Sequence, residues 1–163
     1  SGGAGSVTGV DTSAVALLAA EEHASRNGLK GKVRFVRADA RKYLQRREQQ
    51  TATTLDLDEG FGLVILDPPK LMPTARTRDQ ARRAYRSLNA MALRAVAPGG
   101  LLAACSCSGN MSNQEFLRLL GLASGDAQRR TAVLEVRGAG PDHPAPPAFD
   151  QGRYLKFVLL KVE

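Results

Sequence analysis

The strongest constraint on the fold is a regular alternation of short apolar runs with longer helical stretches. Predicted strands cover residues 7–11, 33–36, 61–66, 101–105, 131–136 and 154–161, and predicted helices cover residues 14–26, 40–49, 77–97 and 112–122. Because neighbouring parallel strands need a crossover helix, this order predicts an α/β fold with a doubly wound, mostly parallel sheet. The run 61–66 is almost wholly apolar and is expected to be a central strand covered on both faces. No helix separates the last two strands, which are therefore expected to be antiparallel.

Composition bounds the class of protein. The 163 residues suffice for one domain with a sizeable core, and 23 lysines and arginines against 16 acidic residues give a net charge of +7. That charge favours a polyanionic partner, or else only a basic soluble surface. No apolar run approaches the ~20 residues of a membrane span. Cys105 and Cys107 are too close for a good disulfide and too few for zinc, so no metal is expected, and a reducing cytoplasm is the expected compartment.

Acidic residues stand where three of the predicted strands end, namely Asp11, Asp39 and Asp67. In open α/β sheets, ligands bind beyond the carboxyl ends of the parallel strands. Each carboxylate alone is best explained as a helix N-cap, but the series of three favours contacts to the hydroxyls and amines of a nucleoside. Asp11 fits a ribose diol because one carboxylate can accept from both hydroxyls.

The turn Asp67-Pro68-Pro69 is more specific than a lone acid. Two prolines fix the backbone and remove two amide donors where the strand opens into the cleft. A rigid turn rich in carbonyls can accept a hydrogen bond from a base amine, whereas one proline would be enough to stop a strand.

Two cysteines of different character follow the fourth predicted strand. Cys105 lies inside that strand and is expected to be an inert small hydrophobe. Cys107 lies between two serines where the chain turns out, and nearby amide dipoles and cations there would favour a nucleophilic thiolate. Position alone leaves the inert and nucleophilic interpretations of Cys107 equally open.

Arginines spaced four apart begin the long helix. Arg78, Arg82 and Arg86 repel one another at this spacing, so a purely structural helix gains nothing from the row. A phosphate backbone would neutralise it, and the three residues are predicted to contact such a partner, although a solvated charged face explains the row as well.

Several motifs together carry a family resemblance. They are Val10-Asp11 followed by Ser13, Asp39-Ala40, Leu66-Asp67-Pro68-Pro69-Lys70, Tyr85 with Asn89, Ser106-Cys107-Ser108-Gly109, Asp142-His143-Pro144 and Tyr154-Leu155-Lys156. This set resembles the class I S-adenosylmethionine-dependent methyltransferases, and within them the bacterial cytosine-5 methyltransferases of large-subunit ribosomal RNA. The resemblance runs from Val7 onward. It implies a Rossmann-like methyltransferase sheet, S-adenosylmethionine as cofactor and ribosomal RNA as partner.

The resemblance also implies roles for individual residues. It implies cofactor contacts from Asp11, Thr12, Ser13, Asp39, Ala40 and Asp67, and substrate contacts from Pro68, Pro69, Lys70 and Tyr85. Cys107 becomes the nucleophile that adds to C6 of cytosine, and Asp67 holds the cytosine edge. Two alternatives stay open: methylation of an exocyclic amine through Asp67-Pro68-Pro69, with Cys107 a bystander, and a non-catalytic fragment that binds RNA through its basic helix.

One departure from the family pattern concerns the start of the chain. A strand with a Gly-rich turn, which carries the methionine end of the cofactor, is expected before Val7, but only residues 1–6 stand there. Residues 1–163 are therefore expected to be a methyltransferase catalytic domain that lacks this first strand and the N-terminal PUA domain of full-length members. A missing central strand would expose two sheet edges, through which a homodimer could form.

Overall fold

The computed structural model describes residues 3–53, 60–71, 77–148 and 152–163. The chain divides into two compact units, Ser1–Gln50 and Thr51–Glu163. Residues 1–2, where part of the Gly-rich segment was expected, lie outside the described residues.

The first unit is a strand–helix–strand–helix segment. Its elements are β1 (Val7–Asp11), α1 (Ala14–Arg26), β2 (Val33–Arg37) and α2 (Ala40–Thr53), whose last residues pass into the second unit. β1 and β2 are parallel, with Val7 opposite Val33, and α1 packs against both. Ser13 caps α1 by accepting the Ala16 N–H at 3.2 Å, as the sequence predicts.

The second unit is a four-stranded sheet with two helices. Its elements are β3 (Phe61–Leu66), α3 (Arg78–Ala95), β4 (Val96–Ser106), α4 (Asn113–Asp126), β5 (Thr131–Arg137) and β6 (Lys156–Val162). The strand order is β3-β4-β6-β5, with β3 parallel to β4, and β6 antiparallel to both β4 and β5. The predicted antiparallel pairing of the last two strands is confirmed.

The core of the second unit lies between α3, α4 and the sheet. Tyr85 and Leu93 of α3, Leu102 of β4 and Phe116 of α4 have essentially no solvent-exposed surface. The rings of Tyr85 and Phe116 meet edge to face, with centroids 5.9 Å apart. Each aromatic side chain buried in this way contributes on the order of 3 kcal/mol or more to folding, which fixes α3 and α4 over the sheet.

The boundary between α3 and β4 differs from the prediction. The helix was expected to continue to residue 97 and the strand to begin at 101, but the helix ends at Ala95 and the strand begins at Val96, which pairs with Phe61. Glycine makes this early crossing possible. Gly60 has φ +87°, and a Cβ there would lie 2.7 Å from the Ala97 nitrogen, so only a residue without a side chain lets the two backbones approach.

The position of β3 also differs from the prediction of a central strand. Among the described residues its one strand neighbour is β4, and the described strands form two separate sheets. Leu63 and Ile65 are 50% and 68% exposed. An apolar strand at a sheet edge is the kind of surface that other chain segments cover. No helix in the described part of the chain is both long and apolar enough to cross a membrane.

Candidate functional site

Two turns leave the same end of the second unit's parallel strands. β3 ends at Leu66, which lies opposite Ala104 of β4, and the turn Asp67-Pro68-Pro69-Lys70 follows. Within this turn Pro68 is buried, whereas Asp67 is exposed. Asp67 and Cys105 directly follow this paired position, so the two chain segments are close neighbours. This is the strand end at which ligands of open α/β sheets bind.

The two thiols at the end of β4 differ in environment. Burial raises the pKa of Cys105 to about 11, and the negative charge of Asp67 adds to the shift. Cys105 is therefore protonated at neutral pH, in agreement with its predicted inertness. Cys107 lies one residue beyond the strand, half-buried and with its thiol free. The chain thus brings a free thiol to the turn beside Asp67.

A buried tyrosine hydroxyl links the two serines that flank Cys107. The Ser106 hydroxyl donates to the Tyr85 oxygen at 3.0 Å, and the Tyr85 and Ser108 hydroxyls lie 2.9 Å apart. The Ser108 N–H donates to the Ser106 hydroxyl at 3.3 Å, which closes the network across Cys107. Tyr85 was predicted to contact substrate, but its side chain is 0% exposed and supports the turn instead.

A buried lysine also donates hydrogen bonds to this turn. Lys156 begins β6 and lies opposite Ser106, and it is 5% exposed. Its ammonium group donates to the Ser108 carbonyl at 2.9 Å and to the Tyr154 carbonyl at 2.7 Å. Burial lowers the pKa of Lys156, and the neighbouring Cys107 counteracts that shift. Lys156 belongs to one of the motifs that carry the family resemblance, but no role was predicted for it.

The first unit presents a second pair of turns. The Asp11 carboxylate accepts the Ser13 N–H at 2.7 Å, and the Asp39 carboxylate accepts the Lys42 N–H at 3.0 Å, which makes Asp39 the cap of α2. The Ala38 N–H donates to the Asp11 carbonyl at 3.0 Å and ties the two turns together. Both carboxylates are exposed at the carboxyl end of parallel strands, as are Thr12 and Ala40 beside them.

The predicted arginine row has carboxylate partners on α4. Arg78 and Arg82 both donate to Glu115, at 2.9 and 3.1 Å, and Arg86 donates to Asp126 at 2.6 Å. The hydrogen bond from Arg78 is the main reason why the pKa of Glu115 is lowered. These partners were not predicted, although Glu115 and Asp126 are spaced by three helical turns and so share one face of α4. RNA contact by the three arginines stays a prediction.

The remaining motif residues lie at the surface. Lys70 and Pro69 are exposed beyond Asp67, where a substrate can reach them. His143 pairs with the neighbouring Asp142 at 3.0 Å, and their side chains are 59% and 78% exposed. The pair therefore interacts with solvent rather than with the buried network under Cys107.

The chain is similar in sequence to curated ribosomal RNA methyltransferases. No protein-family model matches the chain. It is 35% identical over 161 residues to Ribosomal RNA large subunit methyltransferase I of Aeromonas salmonicida, and 36% identical over 157 residues to the protein of that name from Erwinia tasmaniensis. These alignments cover 98% and 96% of this chain but only 39% and 38% of the relatives, so the chain spans less than half of their length.

Solved structures agree on the fold. SMU.776 in complex with SAH superposes with a TM-score of 0.80 at 21% identity, covering 99% of this chain and 40% of that one. NSun6 from Pyrococcus horikoshii with SFG gives a TM-score of 0.61 at 17% identity, covering 96% and 41%. The predicted fold class, a Rossmann-like methyltransferase α/β fold with an antiparallel strand, is confirmed.

Proposed function

We propose that this chain is the catalytic part of an RNA methyltransferase that transfers a methyl group from S-adenosylmethionine to C5 of a cytosine in large-subunit ribosomal RNA. The observation that carries the proposal is the free thiol of Cys107 on a turn beside the Asp67 turn, at the carboxyl end of two parallel strands. A thiol is the group that cytosine C5 chemistry requires, because C5 is a weak nucleophile until C6 has been attacked.

The relatives support RNA as the substrate. Ribosomal RNA large subunit methyltransferase I of Aeromonas salmonicida aligns with nearly the whole of this chain. The net charge of +7 is consistent with a polyanionic substrate. Ribosomal RNA is found in the cytoplasm of bacteria, where thiols stay reduced, and we place the reaction there.

The first unit fits the nucleoside part of the cofactor. The Asp11 and Asp39 carboxylates are exposed, and each uses one oxygen for a local backbone N–H, which leaves acceptor capacity for hydroxyl and amine donors. We assign the ribose to Asp11, Thr12 and Ser13, and the adenine to Asp39 and Ala40. When bound, the cofactor supplies a methyl group activated on a sulfonium. SMU.776 with SAH and NSun6 with SFG, which share the fold, support this choice.

The residues of the second unit carry the proposed reaction. The Cys107 thiolate adds to C6 of a cytosine taken out of its stack, which pushes electron density onto C5. Asp67 holds the cytosine edge, and Pro68, Pro69 and Lys70 line the pocket. After C5 has gained the methyl group, a base removes the C5 proton, the C6–S bond breaks, and Cys107 returns as thiolate.

Further chain segments complete the protein in this proposal. The chain spans 39% of the length of its relative from Aeromonas salmonicida, and Leu63 and Ile65 of the edge strand β3 are exposed. We infer that a further strand with a Gly-rich turn pairs at this edge, and that an RNA-binding PUA domain precedes the catalytic domain. A second copy of the chain is the alternative occupant of the edge, and sedimentation of the isolated chain separates the two.

Trapping with a modified RNA tests the proposal. The protein is incubated with S-adenosylmethionine and large-subunit RNA in which 5-fluorocytidine replaces cytidine, because fluorine at C5 cannot leave as a proton and the thiol stays bound to C6. The wild-type protein and a Cys105→Ala control should each give an RNA adduct on the peptide that contains Cys107. The Cys107→Ala variant should give no adduct and no methyl transfer to unmodified RNA.

Other outcomes identify the alternatives. Methyl transfer by Cys107→Ala to an exocyclic amine would refute the cytosine-5 chemistry and favour a reaction through Asp67-Pro68-Pro69. RNA binding without thermal stabilisation by S-adenosylhomocysteine would favour a non-catalytic RNA-binding role for the chain.

A further inference from the structure

We propose that Lys156 is a positioning residue that fixes the Cys107 turn against β6 and places a positive charge beside the Cys107 thiolate. This inference rests on the proposed function, because it gives the lysine its purpose. It assigns a role to a residue outside the cofactor and substrate contacts described above.

The strand pattern shows that a lysine at this position is unusual. Lys156, Val158, Leu160 and Val162 alternate along β6 and are all buried, so they point to the same interior side. Three of the four are aliphatic. A buried ammonium carries a desolvation penalty that an aliphatic residue would avoid. A cation at the first of these positions therefore needs a reason other than packing.

Its hydrogen bonds show what the ammonium holds. The acceptors are the carbonyls of Ser108, one residue after Cys107, and of Tyr154. The two residues belong to different segments that also touch, since a Cβ on Gly109 would lie 3.7 Å from the Tyr154 Cβ. Lys156 thus joins the turn after β4 to the segment before β6. Together with the hydrogen bonds of the Tyr85 hydroxyl to Ser106 and Ser108, this contact fixes the residues on both sides of Cys107.

The charge of Lys156 distinguishes it from a purely structural link. The ammonium group is held 2.9 Å from the carbonyl oxygen of Ser108, the residue that follows Cys107. Among the described residues near the turn, Tyr85 from α3 contributes a hydroxyl group, and Asp67 at the end of β3 acts as a negative charge on the neighbouring Cys105. Lys156 from β6 supplies the opposing positive charge, which stabilises an anionic sulfur and its return as leaving group.

Alkylation of Cys107 measures this effect without RNA or cofactor. In a Cys105→Ala background Cys107 is the one thiol in the sequence, and its rate of reaction with iodoacetamide reports the thiolate fraction. Lys156→Met should lower this rate several-fold near neutral pH, because the variant removes the positive charge held at the Ser108 carbonyl next to Cys107. Lys161→Met is the matched control on an exposed position of the same strand and should leave the rate unchanged.

Further variants separate charge from structure. Lys156→Arg keeps a cation and should hold the rate within about threefold of wild type. Lys156→Gln keeps a donor without charge and should react as slowly as Lys156→Met, so either neutral variant suffices if the other fails to fold. Because burial lowers the pKa of Lys156, the difference between wild type and Lys156→Met should shrink toward high pH, where the lysine loses its proton.

The outcomes keep the two proposals apart. A rate for both neutral variants equal to that of Lys161→Met, or a faster rate because the turn has only loosened, overturns the role of Lys156. Methyl transfer by Cys107→Ala overturns the proposed function while leaving the alkylation result as measured. Slow alkylation together with lost RNA trapping in Lys156→Met supports both.

Discussion

Removing the Tyr85 hydroxyl tests how the Cys107 turn is held. Tyr85→Phe keeps the fully buried ring and its contact with Phe116, and deletes only the oxygen that bonds to Ser106 at 3.0 Å and to Ser108 at 2.9 Å. Two neutral hydrogen bonds at about 0.5–1.5 kcal/mol each give about 1–3 kcal/mol. Because Ser106 and Ser108 are 1% and 0% exposed, they cannot exchange the lost partner for solvent. We therefore expect a loss of about 2 kcal/mol or more, rather than one at the lower end of that range.

Thiol labelling in urea measures this loss in the second unit alone. Cys105 belongs to that unit and its thiol is protonated in the folded state, so in a Cys107→Ala background a short pulse of alkylating reagent across a urea series reports unfolding of the unit. With a slope of about 1–3 kcal/mol per molar urea, the midpoint of Tyr85→Phe should fall by about 1 M without a change of slope. Tyr154→Phe removes the same group from a residue that is 39% exposed and should lower the free energy of unfolding by less than about 0.5 kcal/mol. Equal midpoints for the two variants would refute the role of the Tyr85 hydroxyl.

Two further predictions concern α4 and the crossing of β3 with β4. The Glu115 carboxylate accepts from Arg78 and Arg82, and its pKa is lowered in the folded state. The ionised carboxylate therefore stabilises the fold fully above the pKa that it has in the unfolded chain, and this stabilisation is lost as pH falls through the pKa of the folded state. Glu115→Gln should therefore lower the free energy of unfolding by about 1–2 kcal/mol at neutral pH and by nearly nothing in acid. Urea titrations at the two pH values measure this difference, and a loss that is independent of pH would contradict the ion pairs. Gly60→Ala should cost about 1–3 kcal/mol through its positive φ and the approach to Ala97, whereas Gly62→Ala, whose Cβ meets nothing within 4 Å, should cost less; similar costs in the same titration would exclude the strain.

Local signals in the sequence predicted the elements well. Ser13, Asp39 and Ser112 each precede a helix and each accepts the backbone N–H expected of an N-cap. The limits of β1 and β3 agree with the apolar runs. These features depend on a few neighbouring residues, so a linear pattern contains most of what decides them.

Features that depend on distant residues were less accessible. The early start of β4 is fixed by Val96 pairing with Phe61 and by the close approach at Gly60, neither of which a helical period in the sequence reveals. The arginine row appeared unpaired because its carboxylate partners lie on another helix, 33 to 40 residues further along the chain. Spacing indicates which residues of one helix share a face, but only packing determines which face of another helix they meet.

Lys156 is an intermediate case, because the sequence indicates that its side chain is buried but not which residues it contacts. Val158, Leu160 and Val162 define the inward side of β6 by their alternation, and extending that alternation one step back predicts that Lys156 also points inward. A lysine predicted to be buried is itself a reason to search for an anionic or carbonyl-rich partner. The partner required the antiparallel register that sets Lys156 opposite Ser106, across about fifty residues of chain. The apolar pattern therefore identifies the unusual cation, and the strand pairing connects it with Cys107.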